Sequence, residues 1–396
     1  MDSLALASSR LLDQITSLSF SGIGHERITA WLSPQFSNLC ELSVTGAGLS
    51  ARGSAWSHGC NVIQMSMDHS DDFFSLISEY KSLRVLRLAN NRLSNRGLSY
   101  LRGFENLEGL DLSGNEISSL VYLSGFSSLK RLNLSNNKIT GSGIGGLESL
   151  QNLETLNLNG NPLSKNFGSN DGVHLSEEIP KLLNLSVANC GLASVEFLHH
   201  HQSLQKLVVS RNPKMMGLGR VVDQLKDLSS LEAVGIRLSA ECAGYLSAQS
   251  ALVRLDLRRT LGALGVVHRI GNLSRLNTLR IDGVNAAQAA TIASLCRLER
   301  LTLNNGAMGN VGVSKISQLK GLAHLSLANQ QLDDGVISHL TELKSLRSLT
   351  LSHNALKGLT IGELSGLRDL TKLTLLSNPL EIRDSGGLPN TVNVLY

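Results

Sequence analysis

Residues 83–93 read LRVLRLANNRL, and the same order of leucines and asparagine returns at 107–117 (LEGLDLSGNEI), 129–139 (LKRLNLSNNKI) and 153–163 (LETLNLNGNPL). Each is a copy of LxxLxLxxNxL, and four consecutive copies exclude chance. The apolar residues at positions 1, 4 and 6 frame a short extended segment, so they point inward while positions 3 and 5 point outward. A second apolar series follows at positions 16, 19 and 22: Leu98, Leu101 and Phe104 in one unit, Ile144, Leu147 and Leu150 in another. That three-residue spacing suits a 3₁₀ or short α-helical turn closing the core from the other side.

Extending this phase in both directions places units at residues 15, 39, 62, 83, 107, 129, 153, 182, 204, 231, 252, 276, 298, 322, 346 and 370. Their steps run from 21 to 29 residues. The weakest units are the first three and those at 231, 252 and 276. Leucine supplies 77 of the 396 residues, and the repeat accounts for that excess. Stacked strands on one side and bulkier turns on the other predict an α/β solenoid, a curved horseshoe with a parallel concave β-sheet and convex 3₁₀ or short helical turns. The domain reading is an N-terminal cap at 1–14, about 16 repeats over 15–380, and a C-terminal cap at 381–396. Leu4, Leu11 and Leu12 would cover one end, and Leu388, Val392, Val394 and Leu395 the other.

These motifs resemble an intracellular leucine-rich repeat protein over nearly the whole chain. Units of 22 residues such as LEGLDLSGNEISSLVYLSGFSS are similar to SDS22-like repeats. Units of 24 such as LKRLNLSNNKITGSGIGGLESLQN are similar to those of bacterial and other intracellular repeat proteins. The resemblance implies a protein-interaction scaffold. It leaves open a regulatory subunit of a Ser/Thr phosphatase and a bacterial effector or substrate-recruiting adaptor.

Asn91, Asn115, Asn137, Asn161, Asn212, Asn354 and Asn378 share position 9, where the chain leaves the strand. A buried amide there can serve backbone donors and acceptors alike, which makes these residues a structural ladder. Cys190 takes the same slot and reads as a substitute. The five cysteines, the others being Cys40, Cys60, Cys242 and Cys296, are scattered and form no CxxC pair, which argues against a disulfide framework or a zinc site.

The net charge of +4 and an aromatic content of 4% disfavour a nucleic-acid partner, which calls for a concentrated basic stripe with stacking rings. No apolar run approaches a membrane span, and the acidic start lacks the pattern of a secretory signal, so the expected location is cytoplasmic, with secretion open for a bacterial effector. His199, His200 and His201 adjoin on a turn and would diverge from one ion, so the reading is a surface turn with one packed histidine and no metal. Neither a nucleophile with its base nor a phosphate loop appears, and repeats leave no room for a catalytic domain. The expectation is a nonenzyme without cofactors. The three NxS sequons, at Asn133, Asn184 and Asn272, read as chance occurrences.

The outward strand positions decide what can bind. They are small and polar in the early and middle units, including Ser19, Ser43, Ser66, Asp111, Asn133, Asn157 and Ser186. In the later units Arg237, Arg254, Asp256, Arg258, Arg259, Arg280, Asp282 and Arg300 form a candidate partner-binding patch on neighbouring strands. The alternative for these residues is a self-paired charged face. Two long units add candidate binding loops at 164–181 and 212–230, with tolerated drift in length as the alternative; exposure of Met215 and Met216 would make the second the better candidate.

Overall fold

The computed structural model describes residues 17–22, 39, 41–45, 82–164, 179–381, 388–389 and 391–396. The chain divides into two compact units, 1–204 and 205–396. The first contains β1 (Ser17–Ser21), β2 (Glu41–Thr45), β3 (Val85–Arg87), β4 (Gly109–Asp111), β5 (Arg131–Asn133), β6 (Thr155–Asn157) and β7 (Asn184–Ser186), each parallel to the next. The second contains β8 (Lys206–Val208), β9 (Ser230–Glu232), β10 (Arg254–Asp256), β11 (Thr278–Asp282), β12 (Arg300–Asn304), β13 (His324–Ser326), β14 (Ser348–Thr350), β15 (Lys372–Thr374) and β16 (Asn393–Leu395), again parallel and in sequence order. Parallel neighbours in sequence order require every connection to return over the same face, which makes each unit a solenoid.

The register aligns the position-4 leucines. Leu86, Leu110, Leu132, Leu156 and Leu185 face one another along the first sheet, and Leu207, Leu231, Leu255, Leu279, Leu301, Leu325, Leu349 and Leu373 along the second. All are buried, as are the leucines of positions 1 and 6 beside them. Among the described residues, return segments in the first unit are one short helix, α1 (Asn95–Ser99), and 3₁₀ turns such as Val121–Leu123 and Gly141–Ile144. In the second they are α2 (Leu218–Gln224), α3 (Ala240–Ser247), α4 (Leu264–Val267), α5 (Ala286–Ile292), α6 (Gly309–Ile316) and α7 (Ile337–Leu340), with further 3₁₀ turns. Alanine-rich AECAGYLS and AAQAATI favour full helical turns, whereas GSGI does not. Ser239 caps α3 by accepting from the Cys242 N–H, and Asn285 and Gln288 form a reciprocal capping box on α5.

The position-9 amides lie in the turn after each strand. Asn137 Nδ2 donates to Leu112 O (2.9 Å) and Leu134 O (3.0 Å), while its Oδ1 accepts from the Ile117 N–H (3.0 Å). Asn161 repeats this with Leu134 O, Leu158 O and the Ile139 N–H. Asn115 and Asn354 also join two coils. Where the slot differs, the backbone finds another partner. Cys190 Sγ donates to Leu158 O at 3.2 Å, and Thr260 Oγ1 to Ala233 O at 2.6 Å. Gln330 Nε2 donates to Leu303 O (2.9 Å) and Oε1 accepts from the Met308 N–H (3.0 Å), its longer side chain filling space left by Gly306 in the preceding unit. Beside apolar Ile236 the backbone pairs directly, Leu238 N–H to Leu261 O and Leu261 N–H to Ile236 O.

Position 8 holds a left-handed backbone in each of these turns, with Asn90, Asn136, Asn189, Asn305 and Asn329 near φ +55° and Gly114 and Gly160 near +70°. Asparagine and glycine tolerate that region best, so the dipeptides Asn-Asn and Gly-Asn before position 10 have a second physical cause besides the ladder. At Gly160 a side chain would also strike the Asn136 amide oxygen, 2.4 Å from a Cβ built there. Arg211, Arg259, His353 and Ser377 occupy the same slot.

The structure corrects several expectations. The unit placed at 231 has its position-4 residue at Leu231, which pairs with Leu207 and Leu255, so it begins at Leu228. Starts at 204, 228 and 252 are then evenly spaced by 24 residues, and 212–230 is no longer an insertion but a return segment carrying α2. Met215 is buried within it, and Met216 is exposed. β2 pairs directly with β3, and the unit proposed at 62 lies outside the described residues, which resume at Ser82. At the other end Asn393–Leu395 continues the sheet as β16. Residues 1–14, Cys40, Cys60, Ser66 and most of 164–181 lie outside the described residues.

Replacing Asn137 by Ala leaves two carbonyls and one N–H of the turn without this partner. The expected loss is about 3 kcal/mol of unfolding free energy in urea, against less than about 0.5 kcal/mol for an exposed control such as Lys138→Ala.

Candidate functional site

The sheet face of the second unit is built from positions 3, 5 and 7 of successive coils. Strand pairing places Arg254, Thr278 and Arg300 in one row, and Glu232, Asp256, Arg280 and Thr302 in the next. Arg258 and Asp282 follow one alternation further along their strands. Six of the eight predicted patch residues therefore share this face: Arg254, Asp256, Arg258, Arg280, Asp282 and Arg300. Arg259 lies in the turn beyond it with φ +55°, and Arg237 stands exposed on the turn after β9, bridged through its backbone to Leu261. The shifted unit explains Arg237: the outward residues of β9 are Ser230 and Glu232.

Asp256 organises the patch. Its carboxylate is largely buried and receives Arg258 through two groups, Nε at 2.9 Å and Nη2 at 2.8 Å, while Arg280 Nη1 stands 3.6 Å away on the adjoining strand. The Asp256 hydrogen bond holds the Arg258 guanidinium above the ordinary arginine range, against a smaller opposing effect of burial. A planar fork seated on a fixed carboxylate has one orientation, so Asp256 sets the direction in which Arg258 faces solvent. Asp282 Oδ2 accepts from the Arg259 N–H at 3.0 Å and so secures the left-handed turn. Its Oδ1 is buried without a hydrogen-bond partner among the described residues.

The other guanidiniums are held more loosely. Arg254 Nε reaches only the Ser230 hydroxyl, at 3.3 Å, and Arg300 lies 3.9 Å from Glu299 with both side chains half exposed. An exposed pair at that distance contributes little. His324, next to Arg300 in register, has its imidazole pKa lowered by burial first and then by Arg300 and Arg347, so it adds little positive charge near neutrality. The face thus keeps a surplus of guanidinium after its internal pairing, with Arg254 and Arg300 on either side of the small Thr278.

His201 is buried, while His199 and His200 meet edge to face at a 6.2 Å ring separation. Among the described residues no group of three His, Cys, Asp or Glu is arranged to hold a metal ion. No helix among them is long and apolar enough to cross a membrane. Cys190 and Cys242 are buried, and burial pushes both thiols up to about 11. Cys296 is free and exposed.

Residues 81–101 match the family described as Leucine Rich repeat, and residues 127–171 match Leucine Rich repeats (2 copies). No curated protein matches the chain. Among solved structures, an internalin (inlF) from Listeria monocytogenes is 26% identical with a TM-score of 0.59, over 80% of this chain and 87% of that one. The Leptospira interrogans LRR protein LIC12759 is 20% identical with a TM-score of 0.60, over 98% of this chain and 91% of that one. A TLR13–ssRNA13 complex is 24% identical with a TM-score of 0.56, over 88% of this chain and half of that one.

A thiol with a pKa of about 11 is ionised to about one part in a thousand at pH 8. Alkylation by iodoacetamide followed by peptide mapping is expected to mark Cys296 in the folded protein, and Cys190 and Cys242 only after unfolding. Rapid native labelling of Cys190 would mean that its turn opens.

Proposed function

We propose that this chain, a leucine-rich repeat protein by its motifs and its fold, is a noncatalytic scaffold that binds a protein partner through the arginine-bearing sheet face of its second unit. The observation that carries the reading is the uneven pairing of that face. Asp256 locks Arg258 in place, whereas Arg254 and Arg300 have only a hydroxyl and a distant carboxylate. Pre-oriented guanidiniums beside loosely held ones suit acidic side chains on a partner, because forked hydrogen bonds give orientation and the desolvation cost of a tightly paired face is avoided.

A protein partner is favoured over a nucleic acid because the His324 imidazole is the single ring this face offers for a base to stack on among the described residues. The free thiols at Cys242 and Cys296 support a reducing, cytoplasmic location. The interaction is polar and without outward Trp anchors, which makes moderate affinity and strong salt dependence the expected signature.

The test is affinity capture from nuclease-treated lysate of the source cell, comparing the native chain with the double reversal Arg254→Glu and Arg300→Glu. The reversal is expected to weaken capture at least about tenfold, in line with the removal of central interface arginines, with an unchanged circular dichroism spectrum. Raising the salt should weaken the native complex as well. Recovery of the same partners by the reversed variant would reduce the patch to solvated surface. The captured protein also decides the role: a phosphatase catalytic subunit, a ligase or a host target each names a different one.

A further inference from the structure

The first unit carries a second feature that the charged patch does not involve. Position 3 of its strands is Val85, Gly109, Arg131, Thr155 and Asn184 from β3 to β7. Gly109 is the single glycine in that row, and neither backbone nor packing demands it. Its backbone is ordinary strand, unlike the left-handed Gly114 and Gly160 of the turns. The atoms nearest to a Cβ built on it would be Arg131 Nη2 at 3.5 Å and the Val85 methyls at 3.6 Å, ordinary contacts. Glycine weakens a strand interior, so a residue that is not required for the fold here has a cost and no structural return.

What glycine does provide is a notch. A depression of about 260 Å³ opens on the sheet face above it, walled by Val85, Arg87, Asp111, Arg131, Asn133 and Asn157. Its floor is apolar, and in its polar walls Asp111, Asn133 and Asn157 keep unused hydrogen-bonding capacity among the described residues. Asp111 Oδ1 accepts from the N–H and hydroxyl of Ser113, while no donor among the described residues reaches Oδ2. Asn133 and Asn157 accept through Oδ1 from residues of their own turns, which leaves their amide N–H groups directed to other acceptors. Arg131 is exposed and makes no ion pair among the described residues.

We propose that this notch is a binding site for a phenol side chain, a tyrosine of a protein partner. The ring lies on the Gly109 backbone against the Val85 methyls and beside the Arg131 guanidinium, which favours an aromatic face. The hydroxyl donates to Asp111 and accepts from an asparagine amide. A phenylalanine would satisfy the floor and leave those polar walls desolvated without partners, so the site discriminates by the hydroxyl. The described sheet-face rows carry no aromatic of their own beyond histidine, so an aromatic anchor at this surface has to come from the partner.

The test uses the full chain and p-cresol as the probe, with toluene as the analogue lacking the hydroxyl. In ¹H–¹⁵N spectra p-cresol is expected to shift the Gly109 amide and the Arg131 Nε–H saturably, and toluene to bind at least about fivefold more weakly. Gly109→Val should abolish the shift at Arg131 while leaving the melting temperature equal or higher, because valine suits a strand and fills the notch. Arg131→Ala, a change at an exposed side chain, gives a second route should the valine variant fail to fold, and is expected to weaken the Gly109 shift severalfold. The proposal is overturned by the absence of a saturable shift, by equal binding of toluene, or by undiminished binding in the variants. None of these outcomes depends on Arg254 or Arg300, so the notch and the charged face stand or fall separately.

Discussion

The backbone of the turn after each strand is the point on which the stacking depends. A coil must leave its strand sharply, under the leucines of the next coil, and there its N–H and C=O groups are cut off from water. An asparagine at position 9 answers both needs, donating to two carbonyls and accepting from an N–H one coil away. The requirement belongs to the backbone rather than to asparagine. Gln330 meets it by reaching past Gly306, Thr260 meets it with a hydroxyl, and the coil at Ile236 meets it with direct backbone pairs to Leu261. Ala233 O, a carbonyl that an asparagine at 236 would serve, accepts instead from Thr260 Oγ1 of the next coil.

This explains what the sequence could and could not convey. Leucine spacing alone determines a parallel sheet with inward positions 1, 4 and 6, since no other arrangement buries that row. It does not determine phase where leucines recur every third residue. In 228–238, LSSLEAVGIRL, both Leu228 and Leu231 can serve as position 1, and the asparagine that would decide between them is replaced by Ile236. Only the register against Leu207 and Leu255 resolves it. That three-residue slip displaced Arg237 onto the face and hid Glu232, and it created an insertion that the structure does not contain. The left-handed slot at position 8 was legible in the Asn-Asn and Gly-Asn pairs, where the asparagine of the ladder drew attention from its neighbour.

The charged face was legible as composition but not as an arrangement. Arginines and aspartates on alternate positions of neighbouring strands can pair in several ways, and the pattern gives no preference. The structure shows a division of labour: Asp256 and Asp282 each serve geometry, one orienting Arg258 and the other holding the Arg259 turn. An aspartate that directs a guanidinium shapes such a face although it lowers the net charge of the surface. Counting charges therefore understates such a face, and counting ion pairs overstates its internal satisfaction.

Because inward positions are fixed by stacking, a repeat of this kind can acquire recognition only at outward ones, and there are two routes. A side chain can be added, as at Arg254 and Arg300 on the proposed partner face, or removed, as at the proposed notch of Gly109. The second is harder to see, since glycine is expected wherever a turn is tight. The distinction lies in the backbone: Gly114 and Gly160 sit at positive φ and cannot be exchanged without strain, whereas Gly109 sits in a strand among contacts an alanine could accept. A glycine that the fold does not need, placed beside polar groups with free hydrogen-bonding capacity, shapes the surface for something that comes from outside the chain.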